Sequence, residues 1–482
     1  MNGRAVFHLI TYLLLMIGAS MAVCWGVSLY FQDPAPAPFA LGLAAAITLL
    51  VAAIGHLFTR GPVELSWRDG IGIGTLGWIA AAVFGSLPYI FSGVIRDPVS
   101  ALFETVSGFT TTGASVLAVL EPLPKGILLW RATTHFLGGM GILVLCVAIL
   151  PILGGGGMQL YRAEVAGPSK DRLTPRITST AKLLWGVYVL LCALEIVLLR
   201  LGGMPWFDAV CHSFATIATG GFSTRTVSIA AYNSLYIEVV IIVFMLIGAI
   251  NFALHYRALR GDLRSAFRDS EFRFFLGFWL VGCLIVTFNT WHSVYDSFSA
   301  ALRNSVFSFT SLMTTTGFAT ADFDQWPAMS KIVLLLAMVI GGCVGSTGGG
   351  IKHMRILVAF KKIARRIRLF MHPQAVMQIK VNGETVDEEI VSTILGFIVL
   401  YVLALAAAAT VMTLFTHDLL AAVSSVIATM GGVGPGLGLV GPMQNYAAIP
   451  AGGKIVLMLC MLLGRLEFYT LLALFFPSFW KK

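Results

Sequence analysis

Residues Ala101–Ser115 read ALFETVSGFTTTGAS: an amphipathic run, then Thr and Gly, then a polar turn. Three other stretches have the same shape. They are Asp208–Ser223 (DAVCHSFATIATGGFS), Ser305–Thr320 (SVFSFTSLMTTTGFAT) and Ala422–Gly436 (AVSSVIATMGGVGPG). Aligning Gly113, Gly220, Gly317 and Gly434 gives steps of 107, 97 and 117 residues. Such a step holds one span, a short helix, a loop and a second span.

Each stretch lies between long apolar runs and is itself too short and too polar to cross a bilayer. Non-helical backbone at membrane depth is tolerated only where it lines a cavity, so each reads as a re-entrant loop. Outward from these loops, the apolar residues fall in blocks of about 20, the length of a membrane span. Examples are Ala40–Phe58, Ile71–Phe91, Leu183–Leu201, Ile237–Leu254, Leu395–Phe415 and Ile455–Phe476. The reading is an all-α integral membrane protein. Four pseudo-symmetric span–pore loop–span repeats surround one pore, preceded by two extra N-terminal transmembrane helices, for ten crossings. The divisions expected are 1–66 for the leading helices and 67–155, 156–260, 261–372 and 373–482 for the repeats.

Composition agrees. Of the 482 residues 57% are hydrophobic and 11% charged, and the mean hydropathy is +0.87. A soluble surface needs roughly twice that share of charge. The net charge of +9 could point to nucleic acid. Its placement speaks against that: Arg60, Arg68, Lys170, Arg172, Arg257, Arg260 and the run Lys361–Arg368 fall in segments on one side of the spans. That skew is the positive-inside signature and puts both termini in the cytoplasm. The run Lys361–Arg368 is either a topogenic stretch or a site for anionic lipid or a partner. The seven Cys residues lie singly with no CxxC spacing, so no zinc site or disulfide framework is indicated. The first apolar stretch reads as a retained span, not as a cleaved signal.

The loops carry the chemistry. A dehydrating cation needs oxygens to replace its water shell, and rings of backbone carbonyls supply them. Gly accepts the positive φ that aims successive carbonyls inward. The candidate filter is Thr111, Thr112 and Gly113; Ala218, Thr219 and Gly220; Thr315, Thr316 and Gly317; and Gly432, Val433 and Gly434. Potassium is expected at Thr111, Thr112, Thr219, Gly220, Thr315, Thr316, Val433 and Gly434. Each preceding helix would turn its negative C-terminal end to the axis. Glu104 has no acidic counterpart in the other quarters and reads as a local hydrogen-bonding partner or a cation ligand.

Within Lys331–Phe370 an apolar run is broken by Gly341, Gly342, Gly345, Gly348, Gly349 and Gly350, with Ser346 and Thr347 between them. So many glycines do not hold a helix. Arg465 lies inside the last apolar run, where a cation is a functional-site candidate by default. Gly345, Ser346, Thr347, Gly348, Gly349, Gly350 and Arg465 are the candidate gate, with a structural pairing of Arg465 to Glu467 as the other possibility. The two GxGxxG matches, Gly72–Gly77 and Gly436–Gly441, sit in a span and after a loop, not in the strand-to-helix turn that dinucleotides need.

With WRATTHFLGGMGI (Trp130–Ile142) and IGGCVGSTGGGIKHMR (Ile340–Arg355) added to the four loops, the chain resembles the Trk/Ktr/HKT superfamily of potassium-uptake membrane subunits over nearly its whole length. The resemblance implies a gated potassium pore in a bacterial inner membrane. It also implies a homodimer with one pore per protomer, a mobile intramembrane loop below the filter and a cytosolic TrkA-like nucleotide-binding regulatory ring. The nucleotide (ATP/ADP or NAD) would sit on that partner; no cofactor is expected on this chain, and potassium is its substrate ion. Gly432 stands where such proteins often have Asn. Three classes compete: a channel-like uptake pore, favoured because few carboxylates lie in the spans; an ion-coupled (Na+ or H+) potassium symporter; and a membrane enzyme, for which no catalytic set exists.

Overall fold

Asn2 opens the first helix: its side chain accepts the Ala5 amide and caps α1 (Gly3–Tyr30). Its partner is α2 (Ala37–Thr59). The two approach closely because Gly18 and Gly55 leave room for Leu49 and Thr11. In this computed structural model the described residues are 2–59, 66–139, 141, 177–466, 468, 472 and 476–477. Ser66 and Asp69 cap α3 (Trp67–Ser92) reciprocally. The chain then runs through α4 (Pro98–Phe109), α5 (Lys125–Gly139), α6 (Ile177–Leu201), α7 (Trp206–Ile217), α8 (Leu235–Ala249), α9 (Phe252–Leu259), α10 (Leu263–Arg268) and α11 (Ser270–Thr290). After these come α12 (Phe298–Met313), α13 (Ala328–Ile340), α14 (His353–Met371), a hairpin β1 (Lys380–Val381) and β2 (Glu384–Thr385), α15 (Glu388–Met412), α16 (Leu419–Gly431) and α17 (Ala451–Leu466).

Six of the described helices are long and apolar enough to cross a membrane: α1, α2, α3, α6, α11 and α15. Their outward faces are apolar, as Phe39, Leu57, Val197, Leu280 and Leu403 show by their exposure. Lipid, not water, suits such a surface. The cysteines among the described residues are unpaired and buried.

Among the described residues, two further apolar runs are interrupted. The run Ile237–Leu254 is not one straight helix: α8 and α9 meet at 106°. Asn251 caps α9 by accepting the Ala253 amide. The freed carbonyls of Gly248 and Ala249 take the amides of Thr347 and Cys343. Hydropathy cannot register a bend whose lost helix bonds are replaced by a distant segment. α13 stops at Gly341, whose φ of 76° ends the helix. The continuations of α5 and α17 lie largely outside the described residues. So do Glu467, the division expected at 155/156 and the basic stretch up to residue 176.

Four short helices, α4, α7, α12 and α16, precede the Thr/Gly turns, and the long helices pack around them. Glycine permits close backbone approach beside two of these short helices. A Cβ on Gly464 of α17 would run into the Met430 carbonyl of α16, and one on Gly138 of α5 into the Phe109 carbonyl of α4. Rigid backbone cannot yield as a side chain does. Gly464→Val is therefore expected to lower the yield of monodisperse protein in detergent sharply. Gly186→Val, on α6 with nothing within 4 Å, should leave it unchanged; fluorescence-detected size exclusion reads both.

Candidate functional site

The four short helices end in one way. Their last turns close with a bond between residues five apart: Thr112 to Ser107, Gly220 to Ala215, Thr316 to Ser311 and Val433 to Ala428, amide to carbonyl. A tighter bond joins Thr111 to Gly108, Thr219 to Thr216, Thr315 to Leu312 and Gly432 to Thr429. This is a left-handed C-cap in every quarter. The left-handed residues are Thr111, Thr219, Thr315 and Gly432, with φ of 54°, 52°, 59° and 68°. A β-branched residue there is an outlier that only surrounding structure can hold. The first and third turns reinforce it alike: Thr110 to Thr112 and Thr314 to Thr316, hydroxyl to hydroxyl at 2.9 Å.

Two residues further on, φ is again positive, at Gly113, Gly221, Gly317 and Gly434. The second turn is therefore shifted by one from the sequence alignment. Gly221, not Gly220, matches the other three glycines, and Gly220 matches Thr112, Thr316 and Val433. Ala218 corresponds to Thr110 and Thr314. Two adjacent glycines in Thr219-Gly220-Gly221 made the choice invisible in sequence; the cap bonds decide it.

The turns meet around one axis. A Cβ on Gly113 would strike the Gly220 carbonyl, one on Gly221 the Thr316 carbonyl, and one on Gly317 the Val433 carbonyl. One on Gly434 would come within 2.7 Å of the Thr112 carbonyl. First touches second, second third, third fourth and fourth first, so the ring closes. Above it opens a cavity lined by all four of these glycines together with Arg131 and Tyr446. Four helix ends, each carrying roughly half a negative charge, point into this ring.

Around the ring, polar contacts fasten neighbouring turns. Arg131 Nε pairs with Glu104 at 2.8 Å, both fully buried. The same guanidinium donates to the Ser223 carbonyl and to Ser115 Oγ and lies 4.1 Å from the Phe222 ring centre. Glu104 also accepts from Ser115 Oγ and the Val116 amide. Glu104 thus holds the first turn, and through Arg131 the pair braces it against the second. In the corrected register His212 stands at its position in the second quarter and bonds Ser223 at 3.0 Å. Tyr446 donates its amide to Ser115 and its hydroxyl to the Gly434 carbonyl at 2.6 Å, linking fourth turn to first.

The interrupted segment after α13 lies beneath. Thr347 Oγ1 donates to the carbonyls of Ile217 and Gly248. The Gly349 amide donates to Thr315 Oγ1 at 2.8 Å, and a Cβ on Gly349 would strike the Gly431 carbonyl. Gly345 offers its carbonyl to the Phe252 amide, Ser346 turns back on Cys343, and Gly350 packs on Gly341. A Cβ on Gly348 would lie 3.3 Å from the Thr314 carbonyl oxygen. Arg465 reaches the same place: Nη1 donates to the Thr347 carbonyl at 2.9 Å and Nη2 to those of Gly138 and Gly139. The structure therefore brings Arg465 and the 345–350 segment into contact under the ring. No group of three or more metal-ligating side chains exists among the described residues.

Sequence reasoning missed Arg131, whose partner is 27 residues distant, and Tyr446, which reads as a loop aromatic. It also missed Glu271, whose partners Val344 and Met354 flank the interrupted segment. Charge within an apolar run could have flagged Arg131; nothing in the charged stretch around Glu271 marks it out.

The sequence model of the TrkH family, described as cation transport protein, matches residues 39–482. The Trk system potassium uptake protein TrkH of Salmonella typhimurium is 42% identical, with all of both chains covered. TrkG of Escherichia coli K12 is 36% identical over 99% of each chain. The crystal structure of the potassium transporter TrkH from Vibrio parahaemolyticus superposes with a TM-score of 0.89 at 36% identity, covering the whole of both chains.

Two outcomes test the geometry. Arg131→Ala leaves the Glu104 carboxylate buried without its ion pair, a loss of about 3–5 kcal/mol. The melting temperature in detergent should fall, and pairing it with Glu104→Gln should restore part of the loss. At the fourth turn, Gly432→Asn should keep rubidium uptake, because Asn tolerates left-handed backbone. Gly432→Val adds roughly 1–2 kcal/mol of strain and should reduce uptake in a potassium-auxotrophic host.

Proposed function

The chain belongs to the TrkH family of cation transport proteins, a family of potassium transporters and not of enzymes, and on that premise we propose that it takes up potassium through a gated, channel-like pore. The observation that supports this most is the closed ring of four turns, each glycine abutting a carbonyl of the next. A cation shedding water at the mouth would exchange it for backbone oxygens already held in place, so little reorganisation opposes entry. The filter of this proposal is Thr111–Gly113, Thr219–Gly221, Thr315–Gly317 and Gly432–Gly434, with the second turn in its corrected register. The four span–loop–span repeats are the quarters that build it.

Below the filter, the 345–350 segment and Arg465 form the barrier. The segment obstructs the path with backbone, and the guanidinium opposes a cation electrostatically. A cytosolic nucleotide-binding ring would move the segment; the chain would act as a homodimer in the bacterial inner membrane with both termini inside. Only one glycine per quarter is common to all four turns at the ring's outer position. This makes a short filter and therefore modest discrimination of potassium from sodium.

Reversal potentials in opposing potassium and sodium gradients, with purified protein in planar bilayers, test the pore. A shift with either ion's gradient supports it; uptake that stops when a proton or sodium gradient is removed would replace it with coupled transport. Arg465→Ala and deletion of Gly345–Gly350 should each raise rubidium flux into proteoliposomes. Unchanged flux in both would remove the barrier.

A further inference from the structure

Glu271 is the second residue of α11, and its carboxylate is buried. Its Oε1 accepts two backbone amides: Val344 at 2.8 Å and Met354 at 2.9 Å. These amides flank the glycine-rich segment, Val344 at its start and Met354 in the first turn of α14. One carboxylate oxygen thus clasps both ends of the segment that lies under the ring. The charge suits the place, because the amino end of α14 favours an anion. Glycine-rich backbone has little intrinsic preference for one path, so external contacts must select its conformation.

The clasp is continuous with the cytosolic surface. Asn382 and Gly383 form the two-residue turn of the β1–β2 hairpin, with φ of 53° and 85°. The Asn382 side chain accepts the Ser270 amide at 2.6 Å and donates to Asp269 at 2.7 Å. Asp269 in turn caps α11 by accepting the Phe272 amide. The exposed hairpin tip is therefore bonded to the residues immediately before Glu271.

We propose that Glu271 is the positioning residue of the intramembrane segment, and that the Asn382 turn of the cytosolic hairpin sets where Glu271 holds it. This rests on reading the 345–350 segment as the barrier. Pulling the hairpin away from Asp269 and Ser270 would shift the start of α11, carry the carboxylate with it and release both ends of the segment together. A single oxygen shared by two amides couples those ends, so the segment is held or freed as a unit.

The test is rubidium flux per folded protein in proteoliposomes made from the purified full chain alone, for Glu271→Ala, Glu271→Gln, Asn382→Ala and Glu271→Ala with Asn382→Ala. Glu271→Ala should raise flux several-fold. Glu271→Gln, which keeps an acceptor oxygen, should return it most of the way. Asn382→Ala, at an exposed turn outside the helices, should raise flux, and the double variant should show no more than Glu271→Ala. Additive effects of the two single variants, or wild-type flux in Asn382→Ala, would overturn the relay. Deletion of Gly345–Gly350 separates the two levels. If the deletion raises flux and Glu271→Ala does not, the positioning role fails while the barrier stands; if the deletion itself changes nothing, the barrier reading fails first.

Discussion

A carbonyl oxygen of one turn occupies the space where its neighbour would carry a Cβ, and this is repeated until the circle closes. That mutual exclusion constrains everything else in the molecule. It requires glycine at Gly113, Gly221, Gly317 and Gly434. It requires four helix ends to arrive at one depth, and that in turn requires packed helices to hold each short helix in place. The membrane makes the constraint strict, because backbone groups there have no water to fall back on. A turn displaced from the ring would strand its amides and carbonyls in hydrocarbon.

The left-handed residue before each glycine shows how local chemistry serves this constraint. Threonine is a poor choice for positive φ, yet three turns use it, and the Thr219 hydroxyl donates to the Ala218 carbonyl at 2.7 Å. Thr315 goes further and accepts the Gly349 amide from below. Strain that is held by packing gains a hydroxyl where polar contacts are needed. The fourth turn has Gly432 instead, relaxed in conformation and without a hydroxyl. The backbone is the same; the side-chain lining is not, so the ring is fourfold in its carbonyls and lower in symmetry around them.

Much of this was readable in the sequence, and the failures have physical causes. Four Thr- and Gly-containing stretches at near-regular spacing, each between apolar runs, marked the turns, because non-helical backbone at membrane depth is tolerated only where it lines a cavity. The register of Thr219-Gly220-Gly221 was not readable, since either glycine satisfies the pattern and only the amide-to-carbonyl cap bonds distinguish them. The bend between α8 and α9 escaped hydropathy because the residues stay apolar while their backbone bonds pass to Cys343 and Thr347. Glu271, at the start of α11, looks like an ordinary acidic residue complementing a helix dipole. Its partners lie 73 and 83 residues away, beyond the reach of any local rule. Arg465 was conspicuous for the opposite reason, as a charge inside an apolar run.

The ring and the segment below it have opposite mechanical characters, and the difference decides where control can act. Each turn in the ring is fixed by both neighbours, so moving one displaces the oxygens of two. The segment after α13 belongs to one quarter alone. It touches the ends of the second, third and fourth short helices through Thr347, Gly348 and Gly349 but contributes no glycine to the ring. Its glycines have little conformational preference of their own, and its position is chosen by a few contacts: Arg465 from α17, Asn251 and the bent end of α8, and Glu271 from α11. Small changes in those contacts can therefore move the segment without altering the ring. On the proposed reading, a barrier that must open while the filter stays intact is well served by a segment held in this way.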